Sequence, residues 1–365
     1  MSRPPSCSRV SLALICASVV SSLVAFAVGC GGLLDHHGAT EFAYIATGTA
    51  IAQYVVLPTG QLSPLRPPTA PATNSVAIAV VNSSFAYVAS QSDGVVDQFS
   101  VGEDGNLIAL SPASVHSGTS PAAIATSPNG QFVYVLDQGD NAIAQFSANV
   151  DGTLRPLAPP TVPIPSGGNG LAITPNGSFL YATSSASNKM SAFSIGVSGQ
   201  LTPLAVPSYT VASPARPAIT ADGSWLYVPL ATAGIAQFSV VADGSLSALT
   251  PPVETSPSTN NDTISVSPTG RYAYLGCAAG AAGSPVAQYR ITANGTLSPL
   301  SPASVAAGNS PVNVAVDLGG HFVYVANNSD STVSQFAISG TGTLVALAPA
   351  TIRLGGAMHI AFSLK

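Results

Sequence analysis

Charged side chains are scarce in this sequence. The chain of 365 residues has 10 Lys and Arg and 15 Asp and Glu residues, which is 7% charged, whereas globular domains usually have about 25%. Ten basic residues are too few for the basic stripe of a nucleic-acid-binding protein, so no nucleic-acid partner is expected. The hydrophobic content of 46% excludes a disordered chain, which combines low hydrophobicity with high charge.

Enrichment in Ala, Glu, Lys, Leu and Arg together, typical of coiled coils and long helices, is also lacking. The chain has instead 34 glycines and 30 prolines. So many turn-forming residues indicate many short strands. The length allows one large all-β domain or two smaller ones.

The N-terminus has the pattern of an export signal. Arg3 and Arg9 precede an apolar stretch over residues 10–28, which ends Ala27-Val28-Gly29-Cys30. This order resembles a bacterial lipoprotein signal, so we expect a signal peptide over 1–29, a lipidated Cys30 and a tether over 30–39. The alternatives are a plain signal peptide, giving a periplasmic or secreted protein, and an uncleaved anchor helix. The expected location is the cell envelope, with membrane contact through the lipid alone.

Cleavage before Cys30 changes the cysteine count and the charge. Cys7 and Cys16 leave with the signal and Cys30 is acylated, so only Cys277 remains and no intrachain disulfide is expected. Cys277 lies in a strand pattern and is predicted to be a small buried hydrophobic residue. The formal charge becomes 8 − 15 = −7, because two of the ten basic residues are lost.

Three markers recur seven times each along the chain. A strand-core tyrosine recurs at steps of 43 to 50 residues, at Tyr44, Tyr87, Tyr134, Tyr181, Tyr227, Tyr274 and Tyr324. A Gln-aromatic pair follows each tyrosine, except that Ala192 replaces the glutamine in the fourth repeat. A Gly-x-Leu motif completes each repeat, starting at Gly60, Gly105, Gly152, Gly199, Gly244, Gly295 and Gly342.

Each repeat is predicted to hold four short strands. In the third repeat these cover residues 123–127, 132–136, 142–147 and 154–157, with turn residues at every junction. Four antiparallel strands in a repeat of this length are typical of a β-propeller blade.

The two ends of the chain are complementary. The first repeat begins at its second strand, and residues 359–363 match the missing first strand. We therefore predict an all-β, seven-bladed β-propeller over residues 40–365, in which the C-terminal strand completes the N-terminal blade and closes the ring.

The repeat resembles the YVTN/lactonase family of seven-bladed β-propellers. The resemblance is carried by Ser127-Pro128-Asn129-Gly130, by Phe132-Val133-Tyr134-Val135, and by residues 322–327, Phe-Val-Tyr-Val-Ala-Asn. It covers the whole chain after the signal. It implies a propeller fold, and it implies kinship with 6-phosphogluconolactonases, muconate lactonizing enzymes and surface proteins without known activity.

The family enzymes carry an Arg-His pair in some first strands and a glutamate near the end of the second strand. Here only His359 matches that pair, and Met358 precedes it. The second strands end in Ser90, Asp137 or Ser184 rather than in glutamate. The resemblance therefore implies the family fold without the complete family active site.

One set of positions is predicted to surround the central channel, because the first strand of every propeller blade lines it. These positions are Val76, Ala123, Gly170, Arg216, Thr263, Asn313 and His359. The last four are polar and come from consecutive blades, and Asp262 stands beside Thr263. We predict that Arg216, Asp262, Thr263, Asn313 and His359 form a binding site. The alternative is that they bind channel waters and satisfy strand ends.

Two functions follow from this arc of polar residues. The first is a binding module at the cell envelope, whose partner is a protein, a glycan or a small lactone. The second is a lactone hydrolase in which Arg216 holds a carboxylate and His359 acts as general base. No cofactor and no metal is expected, since Asp137 and Asp140 share a Gly-containing loop that is better explained by turn chemistry.

Overall fold

The computed structural model describes residues 39–231, 234–254, 256, 261–277 and 284–365. The predicted signal peptide and Cys30 lie outside the described residues. Twenty-eight β-strands run between Glu41 and Leu364. Within these ranges no helix is long and apolar enough to cross a membrane.

The strands form seven four-stranded sheets, the blades. Blade 1 is β28 (His359–Leu364), β1 (Glu41–Ala46), β2 (Ala50–Val56) and β3 (Leu62–Pro71). Blade 2 is β4 (Ser75–Val81), β5 (Phe85–Ser90), β6 (Val95–Val101) and β7 (Leu107–His116). Blade 3 is β8 (Pro121–Thr126), β9 (Phe132–Asp137), β10 (Ala142–Ala148) and β11 (Leu154–Pro163). Blade 4 is β12 (Gly168–Ile173), β13 (Phe179–Ser184), β14 (Lys189–Ile195) and β15 (Leu201–Thr210).

The remaining three blades follow the same order. Blade 5 is β16 (Ala218–Ile219), β17 (Trp225–Pro229), β18 (Ile235–Val240) and β19 (Leu246–Glu254). Blade 6 is β20 (Asn261–Val266), β21 (Tyr272–Cys277), β22 (Pro285–Ile291) and β23 (Leu297–Ala306). Blade 7 is β24 (Pro311–Val316), β25 (Phe322–Asn327), β26 (Thr332–Ile338) and β27 (Leu344–Arg353).

The blades close into a ring, and the predicted seven-bladed propeller is confirmed. All strand pairs within the blades are antiparallel, and the first strands of neighbouring blades contact one another in the order β28, β4, β8, β12, β16, β20, β24 and back to β28. Strand β28 pairs with β1, with Ala361 opposite Tyr44. The C-terminal strand thus completes the N-terminal blade, as predicted.

The outermost strands are longer than predicted. We expected a strand over residues 154–157 in the third repeat, whereas β11 has 10 residues and ends at Pro163. Its register against β10 shifts between Ala144 and Phe146, after which pairing resumes. An outermost strand tolerates proline because one of its edges has no partner strand that needs an N–H donor.

The recurrent tyrosine and the Gly-x-Leu motif belong to one joint between neighbouring blades. Each strand-core tyrosine donates its hydroxyl to the glycine carbonyl of the next blade at 2.6–2.8 Å. The ring of an aromatic residue two positions before that tyrosine lies against the same glycine, as Phe85 does at Gly152. Gly152 has a φ of +84°, and a Cβ there would collide with Phe85. Both the backbone conformation and the packing therefore require glycine.

The recurrent glutamine forms the second half of the joint. Gln98 donates its amide to the Pro112 carbonyl of its own blade at 3.0 Å and accepts the Leu154 N–H of the next blade at 2.6 Å. Five other blades repeat both bonds. These glutamines are almost fully buried, so both polar ends of each amide are satisfied inside the protein.

Blade 4 forms the same joint with different residues. Ala192 stands where the other blades have glutamine, and the Leu246 N–H of the next blade donates to the Tyr209 hydroxyl at 2.8 Å. The Tyr209 ring packs against Phe238 of blade 5 at 6.4 Å between ring centroids. The departure noted in the fourth repeat is therefore compensated by a tyrosine from the outermost strand.

Candidate functional site

The first strands place seven equivalent positions around the channel. Each position is defined by the residue that it faces on the second strand, as Ala123 faces Leu136 and His359 faces Ala46. One prediction is off by one residue: the position in blade 2 belongs to Ala77, which faces Ala89. The pairing of β4 with β5 skips Val76, because the register shifts between Ser75 and Ala77.

A cavity of about 270 Å³ lies at these positions. All seven contribute to its wall: Ala77, Ala123, Gly170, Arg216, Thr263, Asn313 and His359. The polar side chains of blades 5, 6, 7 and 1 form one arc, and the small residues of blades 2, 3 and 4 form the other. Apolar side chains complete the wall, among them Ile124, Ile264, Ile360 and Phe362.

Arg216 owes its position to an irregular first strand in blade 5. Strand β16 has 2 residues where most first strands have six, and Pro214 and Pro217 flank Arg216 and limit its backbone hydrogen bonds. The Arg216 N–H donates instead to the Asp262 carbonyl of blade 6 at 3.1 Å. Residue 216 also forms an isolated parallel bridge with Thr263.

Gly170 of blade 4 makes room for this segment. A Cβ at residue 170 would lie 2.7 Å from the Pro217 Cδ and 2.8 Å from the Arg216 Cα. The Asn169 amide donates to the Pro214 carbonyl at 2.8 Å, and the Thr183 hydroxyl donates to Asn169 at 2.8 Å. Blade 4 thus holds the backbone that presents Arg216 to the cavity.

The guanidinium of Arg216 is held through one of its nitrogens. Nη1 donates to the Val312 carbonyl at 2.9 Å and to Asp262 Oδ2 at 3.3 Å. Nε and Nη2 donate to no described residue. The side chains of Arg216 and Asp262 are 29% and 37% exposed, so this ion pair is partly solvated. Enclosure by protein atoms raises the pKa of Asp262, and the charge of Arg216 acts in the opposite direction.

His359 is a neutral side chain at this site. Desolvation, and secondarily the positive charge of Arg216, lowers the pKa of His359 to about 3. Its Nδ1 atom is buried and has no hydrogen-bond partner, whereas Nε2 is not among the buried unpartnered atoms of the described residues. An imidazole of such low basicity is poorly matched to proton abstraction near neutral pH.

Asn313 and Thr263 retain unused hydrogen-bonding groups. Asn313 accepts the Ile360 N–H through Oδ1 at 3.0 Å, which joins blade 7 to blade 1. Its Nδ2 group and the Thr263 hydroxyl bond to no described residue. Both residues line the cavity, so the structure brings all four polar ring residues to one place. The fifth predicted site residue, Asp262, is not among the wall residues and is connected to the site through its bond to Arg216.

Sequence reasoning missed the backbone carbonyl of Val312 as an Arg216 partner, and it missed the support from Gly170 and Asn169. The prolines around Arg216 were the available signal, because they mark an irregular strand. Asp137 and Asp140 are not among the residues of the cavity wall. The Asp140 carboxylate accepts the Thr119 N–H at 2.7 Å, which links its loop to the loop before β8 rather than closing a local turn.

Desolvation raises the pKa of Asp137 to about 7, assisted by the charge of Asp140 and opposed by a hydrogen bond from Ser117. Oδ2 of Asp137 is buried without a partner. Cys277 is a buried side chain in β21, as predicted. Across the described ranges no group of three or more His, Cys, Asp or Glu side chains has the spacing of a metal site.

Comparisons with known proteins agree with this architecture. A solved structure of a putative 6-phosphogluconolactonase from Bacteroides fragilis superposes with a TM-score of 0.78 and 20% identity, covering 90% of this chain and 99% of that chain. A periplasmic gluconolactonase from Pseudomonas aeruginosa gives a TM-score of 0.74 and 17% identity, covering 89% and 99%. Virginiamycin B lyase from Staphylococcus aureus gives 0.54 and 12%, covering 77% and 84%.

These identities show likeness of fold alone, and no curated protein matches the chain. The sequence profile of the family described as "Lactonase, 7-bladed beta-propeller" matches residues 77–206 and 230–358, which is more than half of the chain. The chain therefore belongs to the Lactonase, 7-bladed beta-propeller family.

Proposed function

We propose that this protein is an exported propeller of the lactonase family that binds a small organic molecule in its channel cavity. The observation that carries this proposal is the concentration of unused polar groups at one point of the ring. Arg216, Thr263, Asn313 and His359 all line a cavity whose opposite side is apolar. A few convergent polar groups in an otherwise apolar concavity are typical of small-molecule sites.

The propeller fold does not require polar residues at these positions of the inner ring. Blades 2, 3 and 4 form the same inner ring with alanine or glycine at the equivalent positions. The repeated joints between blades are formed by the tyrosine, glutamine and glycine residues, away from the channel. The polar arc adds two bonds between blades, from the Ile360 N–H to Asn313 Oδ1 and from Arg216 Nη1 to the Val312 carbonyl, and these leave Arg216 Nε and Nη2 and Asn313 Nδ2 without a described partner. An arginine side chain that is 29% exposed, in the same cavity wall as a half-buried imidazole, is therefore better explained by a ligand than by the fold.

A lactone hydrolase is the second candidate function. It is favoured by two structural neighbours, a putative 6-phosphogluconolactonase and a periplasmic gluconolactonase, and by the presence of Arg216 and His359 in one cavity wall. Two observations favour binding over hydrolysis. The pKa of His359 is lowered to about 3, and Arg216 is partly committed to the Val312 carbonyl.

Export is part of this proposal and depends on the N-terminal sequence. Mass spectrometry of the mature protein tests it. The expected result is a diacylglycerol-modified Cys30 at the new N-terminus. An unmodified Cys30, or cleavage at another residue, contradicts the lipid anchor while leaving the cavity proposal in place.

The test of function uses the wild-type protein, the Arg216→Ala/His359→Ala double variant and a matched control. The control is Arg155→Ala/His116→Ala, which removes the same two side-chain types from exposed positions on outermost strands. Sugar and aliphatic lactones and their ring-opened hydroxy acids are titrated by calorimetry and assayed for hydrolysis. Binding that is lost in the double variant and kept in the control supports the proposal.

Turnover separates the two candidates. Binding without hydrolysis by the wild-type protein supports the binding module. Hydrolysis that disappears in the double variant and persists in the control supports the hydrolase. If no compound binds to the wild-type protein, the proposed cavity function is wrong.

A further inference from the structure

We propose that the cavity takes a small monocarboxylate, with its carboxylate at Arg216 and Asn313 and its aliphatic part against Ala77, Ala123 and Gly170. This inference rests on the proposed function and adds the chemical class of the ligand. It depends on three properties of the wall: the hydrogen-bonding sense of its polar groups, its net charge, and its size and apolar lining.

The accessible polar groups of the cavity are mostly donors. Nη2 and Nε of Arg216 and Nδ2 of Asn313 donate to no described residue and have no acceptor capacity. Of the neighbouring acceptors, Asn313 Oδ1 takes the Ile360 N–H and Asp262 Oδ2 takes the Arg216 Nη1–H, and Asp262 is not among the residues of the cavity wall. A ligand that complements this wall must bring acceptor oxygens.

His359 fits the same pattern. One of its ring nitrogens carries the proton in the neutral imidazole. A buried N–H without an acceptor is rarer in proteins than an acceptor without a donor. Since Nδ1 is the buried unpartnered atom, the proton is better placed on Nε2. His359 then presents a further donor to the ligand rather than a base.

The charge of the wall suits a singly charged ligand. Among the described residues of the wall, Arg216 is the one cationic residue, and its positive charge is partly offset by Asp262 at 3.3 Å. A phosphate monoester carries a charge of about −1.5 to −2 at neutral pH. Such a group would face one arginine whose charge is already partly offset, with no second cation among the described residues of the wall. A carboxylate needs only the fork of a single guanidinium.

The volume and the lining of the cavity determine which group can be attached to the carboxylate of the ligand. Its volume of about 270 Å³ is below the roughly 300–1,000 Å³ of pockets for drug-sized ligands. Ala77, Ala123 and Gly170 offer no hydrogen-bonding side chains, and Ile124, Ile264, Ile360 and Phe362 add apolar surface. An aliphatic chain of a few carbons therefore matches the side opposite Arg216.

The test is a calorimetric titration of the mature protein with four probes of similar length. Hexanoate carries the carboxylate, hexanamide is its neutral analogue, hexyl phosphate is the dianion, and ε-caprolactone is a neutral lactone. We expect hexanoate to bind roughly tenfold more tightly than each other probe, because hydrogen bonds to a charged group are the stronger ones.

Three variants test whether the preference for hexanoate depends on Arg216. Arg216→Ala is expected to lose the preference for hexanoate, and Arg155→Ala is expected to keep it. Asp262→Asn is expected to strengthen hexanoate binding, because it removes the carboxylate that competes for Arg216. Thermal unfolding of each variant shows that it is folded, so that lost binding is not lost structure.

The outcomes distinguish this inference from the proposed function. Binding of ε-caprolactone or hexanamide at least as tight as that of hexanoate overturns the monocarboxylate inference and leaves the cavity function standing. Hexanoate binding that survives in Arg216→Ala also overturns it. If none of the four probes binds, the monocarboxylate inference is wrong, and the titration with sugar lactones and their hydroxy acids then decides whether the cavity function stands.

Discussion

The Tyr324 hydroxyl donates to the Gly60 carbonyl at 2.6 Å and thereby joins blade 7 to blade 1 across the closure of the ring. The same bond recurs at the other six joints, so ring closure uses the device that joins every other pair of blades. Tyr324 and Gly60 lie far apart in the sequence, so this bond is a long-range contact.

Tyr324→Phe is expected to destabilise the protein by about 1–2 kcal/mol, because it removes one hydrogen bond from a buried carbonyl. Tyr134→Phe, at an interior joint, is expected to cost a similar amount. Tyr54→Phe is the control, because the Tyr54 hydroxyl bonds to no described residue. Urea unfolding measures all three, and equal effects of Tyr54→Phe and Tyr324→Phe would contradict the role given to the joint.

Gly152→Ala is expected to cost about 2–4 kcal/mol, from the left-handed backbone and from overpacking against Phe85. The control is Gly340→Ala, because a Cβ at Gly340 meets nothing within 4 Å and its φ is ordinary. The control is expected to be nearly neutral. A stability of Gly152→Ala equal to that of the control would show that the aromatic packing on glycine is unimportant.

The raised pKa of Asp137 predicts that the stability of the protein depends on pH. Its pKa is raised from 3.8 to about 7 in the folded protein, so the folded state binds more protons than the unfolded state between these values. Stability is therefore highest near the acidic end of this window and falls as the pH rises through 7. Each unit of pKa difference corresponds to about 1.4 kcal/mol.

Asp137→Asn is expected to flatten this dependence and to stabilise the protein at pH 8 relative to the wild type. Blade 7 has an asparagine, Asn327, at the equivalent strand end. Asp151→Asn serves as the control, since the Asp151 carboxyl is exposed and its pKa is lowered. Urea unfolding at pH 5 and pH 8 is the measurement, and an unchanged pH slope in Asp137→Asn would refute this account of Asp137.

Gly170→Ala is expected to weaken ligand binding at the cavity without unfolding the protein. The added Cβ must displace the Pro217 ring or the Arg216 backbone, which lie 2.7 and 2.8 Å from its position. Displacing this segment moves the guanidinium away from Asn313. Calorimetry compares this variant with Ala123→Gly, which also changes the apolar arc but adds no atom. Equal affinities of Gly170→Ala and Ala123→Gly would show that Gly170 is not needed to position Arg216.

Much of the fold could be predicted because the recurring sequence motifs are the residues that join each blade to the next. Tyrosine, glutamine and Gly-x-Leu recur in the sequence since each blade needs the same contacts with the next one. The polar arc could also be predicted, because equivalent positions of a repeat share one place on the ring. The match between residues 359–363 and a first strand predicted the closure for the same reason.

The misses arose where local geometry departs from the repeat. A register shift in β4 moved the ring position from Val76 to Ala77. Strand β11 is longer than predicted because the free edge of an outermost strand tolerates prolines. The prolines of this segment hide its strand character in the sequence. The burial of the His359 Nδ1 atom and the bond from Arg216 to Val312 involve three different blades, and no local pattern in the sequence indicates such contacts.

The most direct test of the central claim is a crystal structure of the protein soaked with hexanoate. The account predicts density in the channel cavity, with the carboxylate oxygens within hydrogen-bond distance of Arg216 and Asn313 Nδ2 and the carbon chain against Ala77 and Ala123. An empty cavity in a soaked crystal with open channels, or hexanoate bound only elsewhere, would contradict it.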